Sequence, residues 1–282
     1  MSIFFAILLA AATSSLYALS TSLQALEARR EPTTDSLRAS LLKKLVRRPL
    51  WLAGTAAGLI AWPLQAIALA LASVAIVQPA LGLGLIVLLV LGVRLLHERI
   101  GLREIAGAVL IAGAIAVIGW TAPSHTAGFT RGGEVAVVAA LAIAAVAPYV
   151  LRVLGHAGGL GTSISAGFGW AAVGLATALI DEGIADRHWL VALGWGAGVG
   201  IASWSSLLAE MTALQTWPAT RSIPVVFGIE MVLPAALLPV LTHTRPGHVA
   251  SFAAALAVAC GGAAILGSSR AVARAAQPLT EP

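Results

Sequence analysis

The chain is predicted to be an all-α, polytopic membrane protein with about nine transmembrane helices. Three observations predict this. Nine apolar stretches recur along its 282 residues, each near the roughly 20 residues that a helix needs to cross the hydrocarbon core. The composition, 59% hydrophobic against 10% charged, leaves no polar surface with which to hide such stretches in water. The stretches are continuous apolar runs without alternation, which excludes a β-barrel.

In chain order, the predicted spans lie at roughly 3–23, 51–73, 76–95, 104–121, 134–151, 159–180, 189–209, 222–241 and 248–268. Met1-Ser2 offers no basic segment before the first run, so that run reads as a retained helix and not as a cleaved leader. The longest polar stretch, Glu27–Pro49, is too short to fold alone. In it Leu37, Leu41, Leu42, Leu45 and Val46 lie near helical spacing, with Lys43, Lys44, Arg47 and Arg48 among and after them. This is either an interfacial amphipathic helix on the cytoplasmic leaflet or a plain topogenic loop. Gly54-x-x-x-Gly58 and Gly196-x-x-x-Gly200 suit close helix packing, with homodimerisation as a second use. Trp51, Trp120, Trp189 and Trp217 fall near predicted membrane edges, as an aromatic belt would, whereas Trp62, Trp170, Trp195 and Trp204 lie deeper.

Charge orients the chain. With the N-terminus outside and the C-terminus cytoplasmic, 14 of the 17 Lys and Arg residues fall on the cytoplasmic side, leaving Arg131, Arg187 and Arg245 outside. That is the expected positive-inside bias, and it places the chain in the cytoplasmic (inner) membrane. The net charge of +5 therefore reflects the lipid bilayer as partner and not nucleic acid. A single cysteine, Cys260, excludes an internal disulfide and a cysteine metal cluster, and no cofactor is expected. The chain lacks a phosphate-binding Gly-x-x-x-x-Gly-Lys loop, a His-Glu-x-x-His pair and a Gly-x-Ser-x-Gly elbow. Direct ATP drive and enzymatic chemistry are not expected.

The chain also reads as two similar halves. Ala68-Leu69 and Pro79 recur as Ala213-Leu214 and Pro224, at an offset of 145 that sets Gln65 opposite Glu210. Gly113 and Gly119 match Gly261 and Gly267 in spacing, and Tyr17 is matched with Tyr149. The halves are then 1–121, with four spans and the basic loop 27–50, and 134–268, with five spans, followed by a cytoplasmic tail at 269–282. The span missing from the first half corresponds to Asp35–Pro49. An odd number of spans in one half makes the repeats antiparallel, the arrangement of secondary transporters that open a midplane site to alternate sides.

The stretch from Gln78-Pro79 through Leu96, then His97-Glu98-Arg99, then Gly107, Gly113 and Gly119 resembles the end of an EamA-type repeat. The whole chain resembles the drug/metabolite transporter superfamily, with likeness to its nine-helix NIPA-like magnesium-transporter branch. The second half departs from the pattern, with His243 and Arg245 in place of the Glu-Arg pair. The resemblance implies a permease fold and names no substrate.

Candidate pathway residues are the polar groups inside apolar spans. Glu230 leads, because an ionised carboxylate at that depth must be paired, wetted or protonated. It is either a proton or cation site or a protonated glutamic acid bonded to a neighbouring helix. Pro224, Pro234 and Pro239 on its helix free backbone carbonyls. Glu210 and Arg221, at the ends of consecutive spans, form either a cytoplasmic gate pair or two ordinary interfacial groups. Gln65 and Gln78 offer amides to a substrate or to neighbouring helices, and Tyr17 and Tyr149 face either the cavity or other helices. His243 and His248, in the last outer loop, have no carboxylate close in sequence to complete a metal site. The expected function is alternating-access transport of a small metabolite or drug, as proton-coupled export. The alternatives are a divalent-cation (Mg²⁺) carrier and a non-transporting scaffold or accessory subunit, the last of which requires Glu230 to face a dry interhelical contact.

Overall fold

The structure is a computed structural model and describes residues 2–72, 74–121, 131–155, 158–241, 243 and 247–267. Among the described residues the chain is helical, without strands: α1 (Ser2–Ala28), a 3-10 turn (Thr33–Asp35), α2 (Ala39–Leu45), α3 (Pro49–Leu71), α4 (Val74–Arg94), α5 (Leu102–Thr121), α6 (Arg131–Val153), α7 (Gly159–Ala185), α8 (Trp189–Thr216), α9 (Ala219–Leu241) and α10 (Val249–Gly267). Seven of them, α1, α3, α5, α6, α8, α9 and α10, are long and apolar enough to cross a membrane. α4 and α7 are 21 and 27 residues long. Large apolar side chains such as Leu59, Trp62, Leu193 and Ile201 are exposed on the outer faces, which in water would be a severe liability. The fold is that of a multi-pass membrane protein.

Close approach of small residues sets the packing. α1 lies along α3 and α4, α7 lies along α8 and α9, and α5 packs on α10. A Cβ on Gly84 of α4 would stand 2.9 Å from the Ser14 carbonyl of α1, and one on Gly107 of α5 would stand 2.5 Å from Leu266 of α10. Gly54 and Gly58 pack on Ser20 of α1, so this glycine pair is used within the chain. Gly196 and Gly200 of α8 meet nothing within 4 Å. α9 is central, touching α4, α5, α7, α8 and α10, while α6 packs on α7 and α8.

Many helix ends meet at one face, which carries most of the basic residues and is called the basic end below. Leu37, after α1, donates its N–H to Thr212 near the end of α8 at 2.9 Å. Gln215 of α8 donates to the Glu31 carbonyl at 3.3 Å. The start of α9 meets the α4–α5 connector there. At the opposite end, Gly247 donates to the Thr121 carbonyl at 3.1 Å, and His248 stacks on Trp120.

The Asp35–Pro49 segment does not present its leucines to lipid. Leu41, Leu42 and Leu45 are buried in one cluster with Met211 and Leu214 of α8 and Trp51 of α3. The amphipathic pattern is answered by protein, because α8 projects far enough at its C-terminal end to cover that face. Trp51 and Trp217 are likewise buried, so only Trp120 and Trp189 of the expected belt are exposed. Trp62 and Trp204 are exposed as well, which rules them out of an interior cage.

The connector is held by charge. Asp35 accepts from Lys44 and from the Ser40 hydroxyl, and Arg48 donates to Glu31 at 2.8 Å. The Lys44 hydrogen bond, then that of Ser40, holds the Asp35 carboxyl below its usual range, and the same contact raises Lys44. A carboxylate with a lowered folded pKa contributes stability above its unfolded pKa and loses it as pH falls through the folded value. The thermal-unfolding difference between wild type and Asp35→Asn should therefore be constant from about pH 5 to 8 and shrink below about pH 4. A second expectation concerns α5–α10 packing. Gly107→Ala should lower stability by about 1–3 kcal/mol through overpacking. Gly113→Ala, which meets nothing within 4 Å, should be neutral or slightly stabilising in the same detergent melt.

Candidate functional site

Two aromatic donors on α1 and α7 reach polar acceptors on the adjacent helices. The Tyr17 hydroxyl (α1) donates to Gln65 Oε1 (α3) at 3.2 Å. Trp170 Nε1 (α7) donates to Glu210 Oε2 (α8) at 2.8 Å. The acceptors are related by the offset of 145 read from the sequence, and the donors by 153. The same pair of offsets carries the Ser14–Gly84 contact of α1 and α4 onto the Gly167–Ile229 contact of α7 and α9. One close approach and one polar pair thus recur at the same offsets.

Glu230 of α9 is within electrostatic reach of one member of each pair, Tyr17 and Glu210. At 1.5 Å per residue it is about 16 Å along α9 from Ala219. Both carboxylates sit deep among protein atoms, yet Tyr17, Gln65, Trp170, Glu210 and Glu230 all keep some accessible surface. From Ile229 to Leu237, α9 is partly accessible at every position.

On the basic-end side of these residues three sets of contacts close the packing. Innermost is Leu37, buried against Ala166, Ala209 and Val226, with Trp170 packed on the same cluster. Its φ of 54° is left-handed, which costs a residue with a Cβ about 1–2 kcal/mol. The Thr212 hydrogen bond and the burial of its side chain hold it there. The second layer is Glu98, turned inward by left-handed His97 (φ 53°). Glu98 accepts from the backbone of Ala219 at 2.7 Å and Thr220 at 2.9 Å, and from the Thr220 hydroxyl and Arg29. It thereby answers the first N–H groups of α9, where the helix dipole also favours an anion. The third layer is the Arg221–Glu104 pair at 2.6 Å, between the first turns of α9 and α5. Glu104 also accepts from the Gly101 N–H at 2.8 Å, in the manner of a capping box.

Several sequence expectations change here. Glu210 and Arg221 do not pair: Glu210 turns to Trp170, and Arg221, at the start of α9, faces α5. Tyr149 is exposed on α6 and lies outside the cluster. The position matching Tyr17 is Trp170, because the basic connector adds eight residues between α1 and α3 relative to the stretch between α7 and α8. The side chain of Gln78 lies outside the described residues. Sequence reasoning missed Trp170 as a polar donor and missed Glu104. Among the described residues no group of three or more His, Cys, Asp or Glu forms a metal-binding set.

No family model matches the chain, and no solved structure does. It is similar to an uncharacterized protein of Corynebacterium glutamicum, 34% identical over 113 residues. The match covers 40% of this chain and 39% of that protein, so the chain spans about two fifths of the length of the relative it matches.

Glu98 supplies a testable lock. Removing it leaves Arg29 and two α9 N–H groups without their acceptor, a loss on the order of 3 kcal/mol at a buried ionic site. In a Cys260→Ser background carrying Ala166→Cys, adding Glu98→Ala should speed labelling by an impermeant maleimide applied from the basic end at least tenfold. Labelling from the opposite end should change little.

Proposed function

We propose that the chain is a secondary transporter that moves a small solute across the cytoplasmic membrane by alternating access, with proton-coupled export of a metabolite or drug as the leading form. The observation that carries this reading is the accessible polar track Gln65–Tyr17, Glu230, Glu210–Trp170, built from two repeated helix layers with α9 between them. A scaffold needs no cavity at Glu230 and no repeated polar pair, so the track weighs against that alternative.

In this reading nine helices cross the membrane, with α1, α3, α4 and α5 corresponding to α7, α8, α9 and α10 in inverted order. α6 has no counterpart among the described residues of the first unit. The repeat units are those of a drug/metabolite-transporter-like permease, although the boundaries shift: the first runs through α5, and the second begins at α7. The N-terminus is outside, and the basic end is cytoplasmic. The sealed basic end and the accessible α9 face then correspond to a state closed to the cytoplasm.

Inverted repeats give two such states of similar energy, and the solute is exposed alternately as the layers rock. Two carboxylates that face one cavity suit a solute or coupling ion that carries positive charge. A proton satisfies this with one residue, and Mg²⁺ with one or two carboxylates plus waters, which keeps the divalent-cation reading as the second. The exposed glycines 196 and 200 are the surface on which a homodimer would form.

Solute-dependent proton flux in proteoliposomes tests the proposal. Across a panel of organic cations, amino acids and Mg²⁺, wild type should acidify or alkalinise the lumen with one solute class, and Glu230→Gln should abolish at least nine tenths of that flux. Tyr17→Phe and Trp170→Phe should each weaken apparent affinity by about fivefold, the worth of one hydrogen bond. Silence of folded wild-type protein over the whole panel would sink the proton-coupled form of the proposal.

A further inference from the structure

A groove lined by polar residues lies at the basic end, away from the track. It is an open groove of about 470 Å³ lined by Thr33, Thr34, Ser36, Arg38, Arg152 and Thr216. Three elements build it: the 3-10 turn after α1, the last turn of α6, and the end of α8. The segment forming one wall is held in place, since Ser36 donates to Gln215 Oε1 at 3.0 Å and the Leu37 N–H donates to Thr212. The groove is therefore a fixed shape and not a loop surface.

Its chemistry is one-sided. No ion pair to Arg38 or Arg152 occurs among the described residues, unlike Arg29, Arg30, Lys44, Arg48 and Arg221 on the same face. Arg152 reaches toward the Leu37 carbonyl at 3.5 Å, a weak contact that leaves its remaining donors free. The nearby carboxylate, Asp35, is within electrostatic reach of Arg38 but is already taken by Lys44 and Ser40. Thr33 and Thr34 add exposed hydroxyls. The Thr216 hydroxyl donates to Thr212 at 3.1 Å and can still accept.

We propose that this groove binds a phosphate group, with Arg38 and Arg152 as its charged ligands and Thr33 and Thr34 as hydroxyl donors. A planar guanidinium presents paired N–H groups that match two phosphate oxygens, and two such forks lining one groove complement one tetrahedral anion. The volume accepts a phosphate ester as well as the free ion. Its position at the helix ends puts the phosphate of an anionic lipid within reach, because headgroups gather beside basic residues at such ends. Free phosphate and a lipid phosphodiester share the recognition chemistry and differ in what lies beyond it. The proposal is independent of the transport reading and needs only the groove.

Calorimetric titration of the full chain in detergent tests it, with inorganic phosphate, short-chain phosphatidylglycerol and short-chain phosphatidylcholine as probes. Saturable one-to-one binding of phosphate or phosphatidylglycerol is expected, weakened about tenfold or more by Arg38→Gln and by Arg152→Gln. Arg47→Gln and Arg103→Gln, which lie outside the groove, should change it less than twofold. Binding of both anionic probes assigns a site for any phosphate, whereas binding of phosphatidylglycerol alone assigns a lipid headgroup. Absence of saturable binding by both overturns the proposal, as does an equal loss in the Arg47 and Arg103 variants, which would mean diffuse attraction. If Arg152→Gln fails to fold, Arg38→Gln and Thr34→Val, both at exposed positions, decide the same question.

Discussion

Helix α9 cannot cap itself. The residue before it is Pro218, which has no side-chain acceptor, and Thr220 and Arg221 enter its first turn as donors. The helix must nevertheless start inside a crowded set of helix ends, where an unanswered N–H costs on the order of 1–3 kcal/mol. Glu98 answers it from the α4–α5 connector, far away in sequence. One carboxylate therefore fixes the height and angle of the helix that carries Glu230. It also ties α9 to α1, because Arg29 shares Glu98 and donates to the Leu214 carbonyl at 3.3 Å. The placement of Glu230 relative to the Tyr17–Gln65 and Trp170–Glu210 pairs depends on α9 being set at that height.

The same connection makes the basic end a switchable element. Arg29–Glu98 and Arg221–Glu104 form two ion pairs between different elements, and the second of them joins the two halves of the chain. Ion pairs of this kind hold well when dry and weaken when water enters, since the interaction falls steeply with the local dielectric. Leu37 keeps that water out. Its left-handed backbone stores a modest strain that only its buried seat holds in check, so seal and ion pairs are expected to fail together and not one by one.

Much of the helix count and order was legible, because a run of some 20 apolar residues leaves a chain few options. Glu230 was legible for the same reason, since charge in an apolar run is conspicuous. The offset of 145 between α3 and α8 was legible from Ala-Leu and proline spacing. The correspondence of Trp170 with Tyr17 was not, because the longer basic connector breaks the offset and because an indole looks like packing until its N–H is seen to point at a carboxylate. The partner of Arg221 was hidden for another reason. Nearness in sequence favoured Glu210, but α8 and α9 meet at a tight corner that sends the first turn of α9 toward α5. The leucines of α2 were legible as one apolar face, but neither a lipid-facing helix nor a plain loop anticipates that α8 covers them, because periodicity identifies a face and not what covers it.

The repeated pair Tyr17–Gln65 and Trp170–Glu210 has a physical consequence that an isolated polar group would not have. Each aromatic donor holds its acceptor by one hydrogen bond, and the two acceptors differ: one is a neutral amide, the other a carboxyl group. The geometry is therefore nearly symmetric and the electrostatics are not. A mobile cation or proton near Glu230 meets a second carboxylate when it moves toward the α8 side and only a neutral amide when it moves toward the α3 side. In the proposed transport reading, that asymmetry favours a position for positive charge beside the two carboxyl groups Glu230 and Glu210. Movement past that point would then require the Leu37 packing to give way, which would couple ion position to conformation as alternating access demands.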